Sequence, residues 1–211
     1  MARGKFITVE GSEGVGKSTN VDFLASAIKD HGYEVICTRE PGGTPIAERI
    51  RQILLEHGEE PLPDIAELLL FFASRSLHIS NKIRPALKAG KWVICDRFTD
   101  ASRAYQGAGR GLDMERINLL ADWVQDDLQP DVTLLLDAPA EIGMQRAQQR
   151  GETDRLESEQ ISFYERVRAG YLALAEANPG RYRVVDAARP LQEVQVSIGA
   201  VLEQMFSDNS D

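Results

Sequence analysis

The 211-residue chain is 43% hydrophobic and 27% charged, which is ordinary for a globular protein and excludes collagen-like, fibrous and disordered classes. Its 24 Lys and Arg residues against 33 Asp and Glu residues give a formal net charge of -9. We therefore expect no nucleic-acid partner, because proteins that bind through phosphate contacts need a basic face. The length predicts one domain with a single core over residues 1–211.

The N-terminus and the apolar runs predict neither a signal peptide nor a membrane span. Residues 1–5 have no apolar core, and the longest apolar run, residues 68–73, is far shorter than the ~20 residues of a spanning helix. Cys37 and Cys95 each end an apolar run and form no CxxC pair, so we interpret both as buried thiols rather than metal ligands. These features predict a cytoplasmic protein.

Apolar, β-rich runs alternate with helical patterns along the chain. Strands are predicted at 6–9, 35–37, 92–95, 132–136 and 182–185. Helices are predicted at about 17–31, 46–55, 65–80, 113–125, 139–150, 159–177 and 190–205. This alternation predicts an α/β fold with a five-stranded parallel sheet and helices on both faces. Ligands of such sheets bind at the carboxyl ends of the strands, so polar residues that follow strands are the candidate site.

A phosphate-binding loop follows the first predicted strand. Residues 11–18, Gly-Ser-Glu-Gly-Val-Gly-Lys-Ser, match G-x-x-x-x-G-K-[ST] without a mismatch and open a predicted helix. The glycines let backbone N–H groups point at phosphate oxygens, and the helix N-terminus adds partial positive charge. Lys17 is expected to reach the β/γ-phosphates and Ser18 to bind Mg²⁺. The predicted ATP contacts are Gly11, Ser12, Glu13, Gly14, Val15, Gly16, Lys17, Ser18 and Thr19.

Residues elsewhere narrow the class of phosphate-loop protein. A guanine-reading N-K-x-D motif is missing from the sequence, since residues 81–84 carry arginine where the aspartate is needed. Hydrolytic ATPases usually place a glutamate after a strand-end aspartate, but Asp96 is followed by Arg97, and Asp137 by Ala138. The sequence therefore favours a small-molecule kinase, in which positioning and charge neutralisation carry phosphoryl transfer to an external acceptor.

Arginines lie where such an acceptor would need them. Arg39 follows the second predicted strand and Arg97 follows the third. Arginine binds phosphate oxygens in pairs through its planar fork and remains charged. Three more arginines lie in a segment at about 146–156 that we interpret as a lid over the triphosphate: Arg146, Arg150 and Arg155.

These motifs resemble the thymidylate kinase family over nearly the whole chain. Besides the phosphate loop, the family order is kept by Arg-Glu-Pro-Gly-Gly-Thr at 39–44, Asp-Arg-Phe at 96–98, Ala-Tyr-Gln-Gly at 104–107 and Arg-Gly-Glu-Thr-Asp-Arg at 150–155. The first and third of these four segments together are much more specific than the loop. With Glu13 in the loop instead of an arginine, the chain is similar to members whose catalytic basic residues lie in the lid.

The resemblance implies a P-loop NTPase three-layer sandwich that transfers the γ-phosphoryl group of ATP to dTMP, giving dTDP and ADP in dTTP biosynthesis. It also implies Mg²⁺ as cofactor and a homodimer. The residues implied in catalysis are Lys17, Arg97, Arg150 and Arg155, with Arg146 on ATP and with Ser18 and Asp96 on the metal.

The resemblance also implies a dTMP pocket. Arg39 and Arg97 would hold its phosphate, Asp96 would help to arrange Arg97 or the metal, and Glu13 would accept a hydrogen bond from the 3′-hydroxyl. Phe72 would stack on the base, and Arg75 would donate to one of its carbonyls. Ser102 and Gln106 would reach the edge of the base. Tyr105 would crowd the 2′ position of the sugar.

Two alternatives remain open from the sequence. One is a kinase for another pyrimidine nucleotide or for a nucleoside. The other is a nucleotide-binding protein without transferase turnover, although a sensor has no need for the second phosphate pocket that Arg39 and Arg97 would form.

Overall fold

Five parallel strands form one sheet in the computed structural model, which describes residues 3–56, 60–149 and 159–207. The strands are β1 Phe6–Glu10, β2 Val35–Arg39, β3 Trp92–Asp96, β4 Val132–Asp137 and β5 Tyr182–Asp186. Their order across the sheet is β2-β3-β1-β4-β5, and each neighbouring pair is parallel. The predicted five-stranded parallel sheet is confirmed.

The helices of the described residues alternate with these strands. They are α1 Lys17–Asp30, α2 Pro45–Leu55, α3 Asp64–His78, α4 Arg84–Lys88, α5 Thr99–Ser102, α6 Met114–Gln125, α7 Ala140–Gln148, α8 Ile161–Ala177 and α9 Leu191–Ser207. Two π-helical segments, Ile79–Ile83 and Arg103–Gly109, extend α3 into α4 and prolong α5. Within the described ranges, no helix has the length and apolarity needed to cross a bilayer.

The sequence patterns predicted neither α4 nor the helical stretch that contains α5. Pro85 would ordinarily end a helix, but it lies in the first turn of α4, which follows directly on the π-helical segment Ile79–Ile83. Gly107 and Gly109 lower helix propensity, yet a side chain at either would collide with Met114 or Phe163 respectively. Tertiary packing therefore overrides the local sequence signal in this stretch.

Helices cover both faces of the sheet, as predicted. On one face, α1 and α9 bury Leu24 and Ile198 against Ile7 and other strand residues. On the opposite face, Phe6 packs with residues from the π-helical segment before α4, and α8 packs over β4. Both faces of β1 are thus removed from solvent, and all five of its residues are buried.

The prediction of two buried thiols is wrong for Cys37. Cys37 lies on β2, which is an edge strand with β3 as its only neighbour in the described sheet, and its side chain is exposed. Cys95 lies on the interior strand β3 and is buried, and this burial raises the pKa of its thiol well above the usual value. An apolar run alone could not distinguish an edge strand from an interior one.

Strand register brings the candidate residues to one edge. Arg39 at the end of β2 pairs with Asp96 at the end of β3, and Asp96 also pairs with Val9 on β1. β1 ends one residue after Val9, at Glu10, and the phosphate loop follows it directly. Arg97 follows β3 in the same way. Three chain segments with phosphate-binding chemistry therefore meet at the carboxyl end of the sheet.

Candidate active site

A cleft of about 390 Å³ opens at the carboxyl edge of the sheet. It is lined by most of the residues that the sequence predicted, namely Glu13, Gly14, Gly16, Lys17, Ser18, Thr19, Arg39, Arg75, Asp96, Arg97, Ser102, Tyr105, Gln106 and Arg146. Gly11, Ser12 and Val15 belong to the loop but do not line the cleft. Val15 is 2% exposed and packs in the core, so it offers the loop only its backbone.

The loop is fastened by its own lysine. Lys17 Nζ donates to the carbonyl oxygens of Ser12 at 2.8 Å and Gly11 at 3.4 Å. Burial, followed by the nearby Arg97 charge, lowers the pKa of Lys17. Gly11 has φ 139, and a Cβ there would overlap the carbonyl oxygen of Leu136, so this turn requires glycine. The loop and its cation are thereby held in one arrangement.

Arg97 connects the loop to the cleft. Its guanidinium donates to the carbonyl oxygen of Gly11 at 2.9 Å, to the hydroxyl of Tyr105 at 2.9 Å and to the carboxylate of Glu13. Burial alone would lower its pKa, but Glu13 and the tyrosines raise it well above the usual value. Its backbone has φ 65, a left-handed conformation that non-glycine residues seldom adopt and that is enriched at functional sites.

Arg39 and Asp96 offer groups of opposite charge to the same cleft. Arg39 is 52% exposed and forms an ion pair with Glu48 at 3.0 Å, so a ligand can reach its guanidinium. Asp96 Oδ1 is buried and has no hydrogen-bond partner among the described residues. A buried acceptor without a donor is costly and marks a place where a cation or a hydrogen-bond donor can bind.

The placement of Phe72 in the cleft was wrong. Its side chain is 2% exposed and packs with Leu68 and Ile117 in the contact between α3 and α6, whereas Phe71 lines the cleft. Phe72 precedes Arg75 by three residues and Phe71 precedes it by four. Both spacings put a ring beside Arg75 on a helix, so the spacing that was used could not distinguish them.

Arg75 is held in the floor of the cleft by a network that the sequence reasoning missed. The side chain is 1% exposed and donates to Glu40 Oε2 at 2.6 Å, Ser102 Oγ at 3.2 Å and the Phe98 carbonyl at 3.1 Å. The other oxygen of Glu40 lies 2.9 Å from His78 Nδ1. Glu40 was visible in the Arg-Glu-Pro-Gly-Gly-Thr segment, but its buried position was not.

The remaining predicted residues are partly within the described structure. Gln106 lines the cleft and donates to Glu67 Oε1 at 3.0 Å, while Arg146 lines it and donates to the Ala187 carbonyl at 2.7 Å. Arg150 and Arg155, with the rest of the predicted lid beyond residue 149, lie outside the described residues.

Glu10 and Tyr171 complete the support beneath the loop, and neither was identified from the sequence. Glu10 is 0% exposed and accepts from the Phe98 N–H at 2.7 Å and from the Tyr171 hydroxyl at 2.8 Å. Burial, followed by the Asp100 charge, raises the pKa of Glu10 to about 7. The available signal was a carboxylate at the end of a mostly apolar strand.

A phosphate loop on this parallel sheet, beside a cleft that is lined by Arg39, Arg97 and further arginines, defines a P-loop nucleotide kinase. The comparisons name the family within that class. The family model described as thymidylate kinase matches residues 9–198, and the chain belongs to the thymidylate kinase family.

Individual relatives align with this chain over almost their full length. The thymidylate kinase of Methylococcus capsulatus (strain Bath) is 55% identical over 207 residues, which cover 98% of this chain and 99% of that protein. The thymidylate kinase of Pseudomonas savastanoi pv. phaseolicola is 54% identical, covering 96% and 97%. The crystal structure of thymidylate kinase from Ehrlichia chaffeensis matches with a TM-score of 0.78 at 35% identity, covering 95% of this chain and 99% of that chain.

Proposed function

We propose that this chain transfers the γ-phosphoryl group of ATP to dTMP, giving ADP and dTDP for dTTP synthesis. Membership of the thymidylate kinase family supports this reaction. The single observation that carries the proposal is the position of Arg97. It donates to the Gly11 carbonyl of the phosphate loop at 2.9 Å while lining the same cleft as Arg39. This arrangement brings two anions together.

In this proposal, each anion has its own set of donors. The loop amides and Lys17 bind the triphosphate of ATP, and Arg39 and Arg97 bind the phosphate of dTMP. Arg97 also neutralises charge that spreads over the transferred group in the transition state. The acceptor is already an anionic phosphate oxygen, so no catalytic base is required.

The residues at the loop fit a magnesium ion bound with ATP. The Ser18 hydroxyl and the Asp96 carboxylate both line the cleft, and the buried Asp96 Oδ1 lacks a protein donor in the described part of the chain. Mg²⁺ commonly takes one or two protein oxygens together with substrate phosphates and waters. When bound, the ion would neutralise phosphate charge. Asp96 would hold the ion or its waters, and Ser18 would supply a hydroxyl ligand.

The base and sugar would lie against the opposite wall of the cleft. Phe71 replaces Phe72 as the ring that stacks on thymine. Arg75 keeps further hydrogens on its two Nη atoms for a base carbonyl, since arginine carries five N–H groups and three are used inside the protein. Ser102 and Gln106 face the base edge, and Tyr105 and Glu13 face the sugar.

The proposal also covers the arginines near ATP, the cellular location and the oligomeric state. Arg146 approaches ATP from α7, whereas the lid roles of Arg150 and Arg155 and a cytoplasmic location stay predictions. We infer a homodimer because α3 and α6 pack together and each exposes large apolar side chains. These define the α3–α6 surface, which consists of Ile65, Leu69, Leu119 and Trp123.

A phosphoryl-transfer assay across acceptors tests the function. ADP release is measured with ATP and dTMP, dUMP, CMP or thymidine, and with no acceptor. We expect the highest kcat/KM with dTMP and little ATP turnover without an acceptor. Preference for CMP would reject the base assignment, and preference for thymidine would reject a phosphate group as the acceptor. Binding of ATP and dTMP without dTDP formation would instead identify a nucleotide-binding protein.

A further inference from the structure

Helix α7 contacts the phosphate loop backbone to backbone. A Cβ built on Gly143 would lie less than 3.0 Å from the carbonyl oxygen of Glu13. A Cβ built on Gly14 would lie less than 3.0 Å from the carbonyl oxygen of Gly143. The two glycines therefore face each other, and neither position has room for a side chain.

The phosphate-loop motif does not explain this contact. The motif requires glycine at its first and sixth positions, which are Gly11 and Gly16, and leaves the fourth position free. Gly14 holds that fourth position with φ 70, and Gly143 lies on a helix outside the motif. Buried Gly143 also lowers helix propensity where alanine would be better. The close approach of the two backbones accounts for both glycines.

The contact falls on a peptide that binds phosphate in the proposed function. The carbonyl of Glu13 and the N–H of Gly14 belong to one planar peptide unit. Any group that pushes the carbonyl therefore turns the N–H with it, and this N–H belongs to the row of loop donors for phosphate oxygens. Gly143 is placed where it sets the direction of that donor.

We propose that Gly143 is a positioning residue that fixes the Glu13–Gly14 peptide and thereby sets the affinity of the loop for the triphosphate of ATP. This inference rests on the proposed function only in placing ATP at the loop. The dTMP side of the cleft is served mainly by residues on other segments, including Arg39 and Phe71, and the loop reaches it through the Glu13 side chain, so the larger effect falls on ATP.

Gly143→Ala tests the proposal, with Gly199→Ala as the matched control. Gly199 is also a glycine within a helix, and an added Cβ there meets no atom of the described residues within 4 Å. Dissociation constants for ATP and dTMP are measured separately by calorimetry, together with kcat, both KM values and Tm. For Gly143→Ala, we expect kcat/KM for ATP to fall by about 100-fold, the scale of a misplacement of about 1 Å. Its dissociation constant for dTMP should change by less than about tenfold, because in the proposed function the loop reaches dTMP only through the Glu13 side chain.

Two results would overturn the inference. In one, Gly143→Ala binds ATP as tightly as Gly199→Ala and loses only Tm, which would make the contact mere packing. In the other, the affinities for both substrates fall equally, which a role in directing the Gly14 N–H cannot produce. A wild-type protein that binds neither substrate would reject the proposed function itself.

A measurement on the wild-type protein covers the case in which Gly143→Ala does not fold. Inorganic tripolyphosphate can occupy the phosphate loop but has no adenosine group. It therefore avoids any contact between adenosine and Arg146 of α7. We expect it to slow amide hydrogen exchange in α7 as well as in residues 11–18. Protection of the loop with no change in α7 would overturn the inference.

Discussion

Tyr171 on α8 donates a hydrogen bond to the buried carboxylate of Glu10 over 2.8 Å, and its oxygen accepts from Arg97 Nη1 at 3.4 Å. Glu10 uses its other oxygen to hold the N–H of Phe98, the residue after Arg97. One carboxylate thus joins the end of β1 to the turn after β3 and to α8. Because burial and Asp100 raise the pKa of Glu10 to about 7, this support changes charge near neutral pH.

Glu10 should make stability depend on pH. Its pKa rises from the usual 4.5 to about 7 on folding, so the folded state binds more protons than the unfolded state between these values. The resulting stability is fully present below 4.5 and is lost as pH rises to about 7, an effect of about 3 kcal/mol. Glu10→Gln should remove this loss, which urea unfolding at about pH 5 and about pH 8 will measure.

Tyr171→Phe supplies the control for this dependence of the unfolding free energy on pH. The hydrogen bond from Tyr171 lowers the pKa of Glu10, so its removal should move the pH window upward. Equal slopes in wild-type protein and Glu10→Gln would show that Glu10 titrates in its usual range.

Replacing Phe71 by alanine should weaken dTMP binding, whereas replacing Phe72 by alanine should lower the stability of the fold. Phe71→Ala removes the ring that lines the cleft, and we expect KM for dTMP to rise about tenfold or more through lost stacking. Phe72→Ala opens a cavity beside Leu68 and Ile117 and should lower the free energy of unfolding by about 3–5 kcal/mol. Steady-state kinetics and urea unfolding measure the two effects. The reverse pattern would restore Phe72 as the stacking residue.

The sequence was most informative where chemistry fixes the backbone. The loop at 11–18 and the arginine after β3 were predicted because a motif and strand ends determine where they lie. Whether Phe71 or Phe72 faces the cleft was not predictable, because both lie one helical turn from Arg75. The exposure of Cys37 depends on strand order, which local patterns do not contain.

Other parts of the site depend on contacts between distant segments. Glu40 and Arg75 are 35 positions apart, and Tyr171 and Glu10 are 161 apart. Gly143 shows no feature in its own helix that points to the phosphate loop. Such contacts arise only when the sheet has brought its carboxyl ends together, so single-sequence reasoning locates the loop and arginines but misses the groups that hold them.

Arg97→Ala should abolish turnover while leaving the fold intact. The guanidinium neutralises transition-state charge in the proposed mechanism, and arginines in that role contribute about 10³-fold or more to kcat. We expect a loss of this size in coupled ADP-release assays, with circular dichroism unchanged. Arg116→Ala is the control, since Arg116 is 76% exposed and pairs only loosely, at 3.6 Å, with Asp113. A kcat/KM near the wild-type value for Arg97→Ala would remove Arg97 from the phosphate site.

Trp123→Glu should dissociate the inferred homodimer. Trp123 is 82% exposed, and a monomer seldom leaves so large an apolar side chain in water beside further exposed residues such as Leu119. A carboxylate there would be buried without a partner in a two-fold interface. Sedimentation velocity should show a dimer for the wild-type protein and a monomer for the variant.

Val196→Glu tests whether any charge on an exposed apolar position has this effect. Val196 on α9 is 74% exposed and lies outside the α3–α6 surface, so its variant should remain dimeric. Dissociation by Val196→Glu alone would move the interface to α9. A wild-type protein that sediments as a monomer up to its solubility limit would contradict the dimer, yet it would leave the cleft intact, because the described groups at the phosphate loop and both arginines come from one chain.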